Sequence, residues 1–381
     1  MLTEDFVGPP QTYMHMKSAR ITAFTQNISD IHIADVPIME PAAGQVRVRM
    51  LLSPVNPSDL NFVHGTYSEA LQRIIWNQGA TQETTGSVEE DGTIFYDPAH
   101  KTTCPQPPYS LGGEGVGIVD AVGSGFLAKR LQGKRVAIAG GPPNGTWQEY
   151  TVVDAKKAVV MPDAIPDEQA AMFFVNPLAA FVITREVLRV PRGGWLIVTA
   201  AGSALGKSVV RLSKVYGFKT ICVVRSDSNT EELRQLGADA VIETNHQDLV
   251  AEVFKITEGK GAGFAMDCVG GDLSAQLVCC LGLNGRLVLY GTLDSSPMKL
   301  PIRDLMMPVA HIEGFLLPNW MLQQSPLKLL SIIRQVKRLT IQGIFAAEVT
   351  QRYSLDQVVE AVTAAVQPGR TGKVMLQIGE Q

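Results

Sequence analysis

The sequence predicts an α/β protein in which a doubly wound parallel sheet is joined to a second, β-rich domain. Residues 190–315 show apolar strands that alternate with helical stretches, whereas residues 17–155 show short apolar alternations broken by Gly and Pro. Parallel strands need crossover connections, so strict alternation of strand and helix indicates a parallel sheet with helices on both faces. The length of 381 residues suits two or three domains.

The composition is that of an ordinary globular protein. Hydrophobic residues make up 45% and charged residues 18% of the chain, which excludes disorder, collagen and coiled coil. The net charge of -4 provides no cationic field for a polyanion, so we expect no nucleic acid partner.

Cysteine usage and the N-terminus predict a cytoplasmic protein. The five cysteines are odd in number, which favours a reducing compartment over a disulfide framework. The first residues, MLTEDFVGPP, lack the basic region of a signal peptide and the Arg-rich pattern of a transit peptide. No apolar run reaches the roughly 18 residues of a membrane span, so we expect no membrane association.

The first domain is predicted over 1–165. Its strands are short, alternate apolar and polar side chains, and end at Gly or Pro, as is typical of a β-rich fold. We place them at 45–51, 115–122, 135–139 and 148–153.

The second domain is predicted over 166–318, and the remaining segment 319–381 should rejoin the first domain with two helices and a final strand, VMLQI. The order of connection in the second domain matches a doubly wound dinucleotide-binding fold. Its strands are predicted at 196–200, 220–224, 240–242, 263–267, 287–290 and 311–315, and its helices at 205–216, 230–236, 249–256, 273–281 and 302–307.

An acidic insertion is predicted over 68–110. It carries six acids against Arg73 and Lys101, so its charge equals the -4 of the whole chain. Loops of this length are usually functional lids or disordered insertions. A lid or oligomer contact and a solvated insertion without a role both stay open.

The turn after the first strand of the second domain is a candidate phosphate-binding site. In the dinucleotide fingerprint, small residues allow a tight turn and a close approach of the backbone to the pyrophosphate, which binds at the helix N-terminus. Ala201 and Ser203 replace the first two glycines here, so a small-residue turn without a ligand remains the alternative. The candidate residues are Gly202, Ser203, Ala204, Leu205 and Gly206.

Arg225 indicates which dinucleotide would bind. It stands where an NAD-binding site would place an acid on the ribose 2′-hydroxyl, and a guanidinium suits a 2′-phosphate instead. Asp227 could instead accept ribose hydroxyls, and Ser226 belongs to the same predicted site. The expected cofactor is NADPH.

Several short stretches, each modest, occur in an order that resembles the zinc-free branch of the medium-chain dehydrogenase/reductase superfamily. Within it the chain looks most like mitochondrial-type 2-enoyl thioester reductases of the quinone oxidoreductase-like branch, and the resemblance runs from about 17 to 378. The stretches are 55–61 (VNPSDLN), 65–67 (GTY), 112–115 (GGEG), 145–147 (GTW), 175–177 (VNP), 222–225 (CVVR), 314–320 (GFLLPNW) and 372–374 (GKV).

The resemblance implies a GroES-like catalytic domain divided in sequence around a Rossmann domain, with substrate and nicotinamide meeting between them. It implies that Tyr67 is catalytic beside the substrate carbonyl, and that Asn56, Asp59 and Trp320 form the substrate pocket. Zinc-dependent relatives place metal ligands at positions 56 and 113, where this chain has Asn and Gly. The implied cofactor contacts are Asn176, Tyr290, Gly291, Thr292, Leu293, Phe315, Leu316, Leu317 and Lys373.

The predicted function is an NADPH-dependent reductase of an activated carbon-carbon double bond, with a trans-2-enoyl thioester of CoA or acyl carrier protein as substrate. A quinone or alkenal reductase on the same scaffold is the alternative, because the acidic insertion counts against an anionic thioester carrier. A catalytically silent NADPH-binding protein is a further alternative, against which Tyr67 argues. We expect a homodimer.

Overall fold

The structure is a computed structural model. It describes residues 14–67, 105–367 and 369–379, together with the backbone of Ile94–Phe95 and Thr103–Cys104. Most of the predicted insertion, 68–110, lies outside the described residues, so its role stays open between a lid or oligomer contact and a solvated insertion.

The N-terminal part is built from two sheets. β1 pairs with β2 and β6 in the smaller sheet, and the larger sheet runs β10-β8-β7-β3, with β9 also paired to β3. The strands are β1 (His15–Ile21), β2 (His32–Pro37), β3 (Gln45–Pro54), β4 (Ile94–Phe95), β5 (Thr103–Cys104), β6 (Tyr109–Ser110), β7 (Glu114–Val122), β8 (Arg135–Ala139), β9 (Tyr150–Asp154) and β10 (Ala158–Val160).

Four helices belong to this part or connect it to the next. They are α1 (Pro57–His64), α2 (Phe126–Leu131), α3 (Asp167–Ala171) and α4 (Asn176–Val182). α4 continues into a π-helical turn, Ile183–Val187. Six of the seven residues of α4 are buried, so this helix runs through the interior of the molecule.

The second part contains a parallel sheet of six strands in the order β13-β12-β11-β14-β15-β16. The first strand of this part, β11, lies near the centre of the sheet. The next two strands extend the sheet on one side of β11 and the last three extend it on the other side, as in the doubly wound dinucleotide-binding fold. The predicted fold class is therefore confirmed. The strands are β11 (Trp195–Val198), β12 (Lys219–Val224), β13 (Ala240–Glu243), β14 (Ala262–Asp267), β15 (Leu281–Leu289) and β16 (His311–Gly314).

The crossover helices are α5 (Ala204–Tyr216), α6 (Thr230–Gln235), α7 (Leu249–Ile256), α8 (Gly271–Cys279) and α9 (Ile302–Met306). Most bounds lie within two residues of the prediction, and the start of β15 differs by more. The strand expected at 287–290 begins at Leu281, and the helix expected to reach 281 ends at Cys279. Ala262 pairs with Leu281 through a register shift, and Ala262 N–H donates to the carbonyl of Cys280 at 2.9 Å, which draws these residues into the ladder.

The C-terminal segment returns to the first sheet, as expected. β18 pairs antiparallel with β3, with Met375 opposite Pro54, and β17 extends the sheet in parallel with β18. The domain limits of 1–165, 166–318 and 319–381 stay predictions. The elements are α10 (Leu317–Leu322), α11 (Pro326–Ile341), β17 (Val349–Ser354), α12 (Val358–Val366) and β18 (Lys373–Gln377).

The largest apolar cluster is shared by the two parts of the molecule. It includes Leu51 and Met375 of the larger N-terminal sheet, Leu178 of α4, and Val198 and Leu205 of the parallel sheet and its first helix. α4 therefore packs at the junction of both parts. Within the described part of the chain, no helix has the length and hydropathy to cross a membrane.

Candidate active site

Tyr67 follows α1 after a sharp turn. α1 ends at Gly65, whose φ of 75° is left-handed, and an added Cβ would lie 2.7 Å from the ring of Phe24. The chain is helical again at Thr66 and Tyr67. The ring of Tyr67 contacts that of Phe62 edge-on, with 5.1 Å between centroids. The turn therefore places the phenol over the side of α1.

A buried polar cluster lies at the start of the same helix. The amide Nδ2 of Asn56 donates to Glu114 Oε1 at 2.9 Å, Lys373 Nζ donates to Asn56 Oδ1, and Asn56 N–H donates to Asp59 Oδ2 at 2.8 Å. None of the four side chains belongs to a residue more than 4% exposed. These bonds bring Asn56 and Asp59, two of the predicted pocket residues, together with Lys373, which was predicted as a cofactor contact instead.

Burial changes the protonation of this cluster. It raises the pKa of Asp59 to about 7, with the neighbouring Glu114 carboxylate acting in the same direction. Burial also raises the pKa of Glu114, against the effect of Lys373, and lowers the pKa of Lys373 to about 8. The cluster therefore stabilises its charges mainly through hydrogen bonds and the single ammonium group.

Glu114 joins the cluster to α4. Its Oε2 accepts hydrogen bonds from the backbone N–H groups of Phe174 at 2.9 Å and Val175 at 2.8 Å, immediately before Asn176. The side chain of Glu114 thus occupies the N-terminal end of the helix that carries the predicted nicotinamide contact. Sequence reasoning noted the Gly-Gly-Glu-Gly stretch without giving Glu114 a role. Glu114 is the first residue of an apolar strand, and a buried carboxylate requires hydrogen-bond donors. Its position in the sequence could therefore have indicated a structural or functional role.

The predicted phosphate turn connects β11 to α5. Ala200 has a φ of 44°, and Ser203 Oγ accepts the N–H of Gly206 at 3.1 Å. A Cβ on Gly206 would lie 2.5 Å from the carbonyl oxygen of Ala201, so only glycine lets the helix approach the turn this closely. The N–H groups of Ala204 and Leu205 have no acceptor within the helix. The turn and α5 therefore pack closely at Gly206.

The loop that follows β12 lies against this turn. A Cβ on Gly202 would come within 2.7 Å of the Asn229 side chain, which belongs to that loop. Arg225, Ser226 and Asp227 are exposed there, and Ser226 Oγ lies 3.2 Å from Ser228 Oγ. Arg225 makes no ion pair with any residue that the structure describes. Both predicted cofactor segments therefore meet at one edge of the sheet.

Asp267, which sequence reasoning missed, organises the ends of β11 and β14. Its carboxylate accepts from the hydroxyls of Thr199 and Ser274, each at 2.5 Å, and from the N–H groups of Val269 and Gly270 at 2.9 and 3.0 Å. Four donors satisfy a fully buried carboxylate. Asp267 thereby joins the start of the phosphate turn to the start of α8.

Partly buried apolar side chains form a wall beside these segments. Tyr290, Phe315, Leu317 and Trp320 all pack against the largest core cluster. The hydroxyl of Tyr290 faces the thiol of Cys268, and burial raises the pKa of Tyr290 well above its ordinary value. Of the remaining predicted contacts, Gly291 is partly buried, whereas Thr292, Leu293 and Leu316 are exposed at the rim.

The position of Lys373 bears on its predicted role. The whole residue is only 4% exposed. Its Nζ donates a hydrogen bond to Asn56 Oδ1 in the interior and does not project from the surface. The predicted contact with the cofactor, like the other residue roles, stays a prediction.

The positions that carry zinc ligands in zinc-dependent relatives have no ligand side chains here. The amide of Asn56 donates to Glu114 and accepts from Lys373, so its nitrogen and its oxygen are both hydrogen-bonded within the protein. At position 113, an added Cβ would lie 3.1 Å from Asp59 Oδ1. Among residues 14–67, 105–367 and 369–379, no group of three or more His, Cys, Asp or Glu side chains comes together.

Comparison with known proteins agrees with this geometry. Two family models match, the alcohol dehydrogenase GroES-like domain over residues 83–163 and the zinc-binding dehydrogenase over residues 204–335. The mitochondrial enoyl-[acyl-carrier-protein] reductase of Dictyostelium discoideum is 26% identical over 381 residues, covering 99% of each chain.

Solved structures match along nearly the whole chain. A protein of Bacillus thuringiensis assigned as an NADPH:quinone reductase is 32% identical with a TM-score of 0.81, covering 96% of this chain and 99% of its own. The Escherichia coli quinone oxidoreductase, solved with NADPH, has a TM-score of 0.79 at 21% identity, covers 95% of this chain and 99% of its own, and agrees in fold. The chain belongs to the medium-chain dehydrogenase/reductase superfamily and is an oxidoreductase. The resemblance seen in the sequence is confirmed.

Proposed function

We propose that the protein reduces the activated carbon-carbon double bond of an enoyl thioester with NADPH. The observation that carries this proposal is the placement of Tyr67 after α1, with its ring held against Phe62 of the helix that begins at the buried cluster. The similarity to mitochondrial enoyl-[acyl-carrier-protein] reductases along the whole chain supports the same substrate class.

The cofactor-binding residues fit NADPH. The helix N-terminus at Ala204 and Leu205 suits the pyrophosphate, because its N–H groups and dipole favour an anion. Arg225 suits the 2′-phosphate, since a guanidinium forms charge-assisted bonds to phosphate oxygens. Asn176 would face the nicotinamide side. NADPH supplies a hydride to the β-carbon.

Tyr67 would stabilise the negative charge that hydride addition creates. Addition at the β-carbon of an α,β-unsaturated carbonyl places enolate charge on the carbonyl oxygen, and the Tyr67 hydroxyl would donate a hydrogen bond to it. The same hydroxyl is a candidate to hold the proton that the α-carbon takes up. The partly buried wall formed by Phe315, Leu317 and Trp320 would exclude water from the reacting atoms.

A quinone or alkenal reductase is the second candidate. The 32% identity to a protein assigned as an NADPH:quinone reductase favours it. The acidic insertion 68–110 also favours an uncharged small substrate over a CoA or carrier protein, because acids repel their phosphates and carboxylates.

One screen separates the candidates. NADPH oxidation is followed with crotonyl-CoA, a crotonyl pantetheine thioester, a quinone and an alkenal. Turnover of the thioesters with a higher kcat/KM than the other two supports the proposal. Activity restricted to the quinone and alkenal would assign the second candidate, and tight NADPH binding without turnover of any substrate would indicate a silent binding protein.

We further propose a cytoplasmic homodimer. The relatives named above as enoyl reductases are mitochondrial, so the compartment needs its own test by cell fractionation. Sedimentation of the purified chain measures the oligomeric state, and a single species of the monomer mass would contradict the dimer.

A further inference from the structure

Three segments that are far apart in the sequence meet in the buried cluster at the start of α1. Asn56 precedes α1, Glu114 opens β7 and Lys373 opens β18. Asn56 and Glu114 are separated by 58 positions, and Asn56 and Lys373 by 317. The backbone reinforces the junction, because Val55 N–H donates to the carbonyl of Val374 at 3.0 Å.

The hydrogen bonds form a continuous chain from Lys373 to α4. Lys373 Nζ donates to Asn56 Oδ1, Asn56 Nδ2 donates to Glu114 Oε1, and Glu114 Oε2 accepts the N–H groups of Phe174 and Val175. We use the term buried bridge for Lys373, Asn56 and Glu114. A buried carboxylate persists only where donors satisfy it, and here both oxygens are engaged.

We infer that Glu114 and Lys373 are positioning residues of the reductase, because the buried bridge fixes the start of α4, and with it Asn176, relative to the helix that leads to Tyr67. The inference rests on the proposed function for its catalytic consequence. It assigns Lys373 a role different from the direct cofactor contact that the resemblance implies.

The geometry favours positioning over stability alone. A buried ion pair is often replaceable by apolar side chains without loss of stability, whereas removal of one partner leaves an uncompensated charge. Apolar replacements cannot hold the two N–H groups that precede Asn176. Removal of both charges of the buried bridge should therefore restore much of the thermal stability that removal of one charge costs. The start of α4 should remain misplaced in either case.

The test uses three variants of the full chain. Glu114→Met and Lys373→Met each remove one charge, and Glu114→Met/Lys373→Met removes both and leaves no side-chain acceptor for the two N–H groups. Asp120→Asn is the matched control, since Asp120 pairs with the largely buried Arg47, which Glu40 also contacts, in the same part of the molecule. The measurements are Tm, kcat and KM for the best substrate, the Kd for NADPH, and amide hydrogen exchange at 174–176.

We expect both single variants to lower Tm and the double variant to recover most of that loss. The kcat of the double variant should stay tenfold to a hundredfold below wild type, as expected for a misplacement of roughly 1 Å. Exchange at 174–176 should stay about tenfold faster than in wild type, while other helices keep their protection. The control should keep its kcat and its exchange at 174–176.

A double variant with wild-type kcat and wild-type exchange at 174–176 would overturn the inference and leave the buried bridge a structural feature only. Amide exchange does not depend on turnover. If the wild type reduced none of the substrates, the proposed function would fail, and the exchange at 174–176 would still decide whether the buried bridge holds α4.

Discussion

The ring of Tyr67 lies edge-on to the ring of Phe62, with 5.1 Å between their centroids and 63° between their planes. Edge-on aromatic pairs stabilise a fixed ring orientation. The contact involves the ring of Tyr67, which a phenylalanine at this position would keep. Ring and hydroxyl can therefore be tested independently.

Tyr67→Phe should lower kcat about a hundredfold to a thousandfold, which is the usual effect of losing one donor to a developing oxyanion. The contact with Phe62 is retained, and the Kd for NADPH should stay near wild type. Steady-state kinetics with the best substrate of the screen provide the measurement.

Tyr353→Phe is the matched control, because it removes an exposed hydroxyl on β17 that lies 3.4 Å from Gln351. Its kcat should equal that of wild type. If Tyr67→Phe retains kcat within about threefold, which corresponds to roughly 0.6 kcal/mol, the hydroxyl has no essential role.

Arg225→Ala should weaken NADPH binding by about 1–3 kcal/mol, the range for one charge-assisted hydrogen bond to a charged group. NADH lacks the 2′-phosphate, so its affinity should stay unchanged. Fluorescence titration of both cofactors measures the difference. Arg234→Ala removes an exposed cation from nearby α6 and should leave both affinities unchanged. Equal affinity of the wild type for NADPH and NADH would refute the role of Arg225.

Gly206→Ala should damage the phosphate turn. The added Cβ would lie 2.5 Å from the carbonyl oxygen of Ala201, and overpacking of this kind costs about 1–3 kcal/mol. We expect a lower Tm and weaker NADPH binding, measured by thermal unfolding and titration. Gly263→Ala, where no atom lies within 4 Å of the added Cβ, should change the cofactor affinity little. Wild-type affinity in Gly206→Ala would contradict the close approach.

Chelation should leave turnover unchanged. Asn56 and Gly113 provide neither a thiolate nor an imidazole, and the ammonium of Lys373 beside Asn56 repels a divalent cation. The measurement is elemental analysis of the active protein together with kcat before and after treatment with a chelator. One zinc per chain whose removal abolishes turnover would show this prediction wrong.

The sequence predicted the parallel sheet well because buried parallel strands are continuous apolar runs between amphipathic helices. The helix predicted at 249–256 has the observed bounds of α7, and the strand predicted at 135–139 has those of β8. α4 and β17 were missed. α4 is apolar on nearly every side, so it lacks the period of an amphipathic helix, and β17 is largely exposed.

The active site was predicted less completely, for a physical reason. The phosphate turn and Arg225 are local patterns, which a single sequence displays. The buried bridge depends on partners separated by 58 and 317 positions, and no local spacing reveals that Asn56 meets Lys373. Glu114 accepts hydrogen bonds from backbone N–H groups. Every residue except proline has such a group, so the sequence does not indicate which of them Glu114 contacts.

The stability of the protein should fall as the pH rises from about 4 to about 7, through Asp59. Burial raises its folded-state pKa from 3.8 to about 7, so in this interval the folded chain retains a proton that the unfolded chain has lost. Raising the pH then favours the unfolded state. Lys373 acts oppositely between about 8 and 10.5, where the unfolded chain holds the additional proton.

Asp59→Asn should reduce the fall in stability between pH 4 and pH 7 while keeping an oxygen acceptor for Asn56 N–H. Burial also raises the pKa of Glu114, so Glu114 should retain part of the fall. The change in the free energy of unfolding is on the order of a few kcal/mol, since one pKa unit corresponds to about 1.4 kcal/mol. Urea unfolding at several pH values from 4 to 8 provides the measurement. Asp163→Asn, at an exposed position, should reproduce the wild-type profile. Parallel profiles for wild type and Asp59→Asn would show that Asp59 is ionised in the folded protein throughout this range.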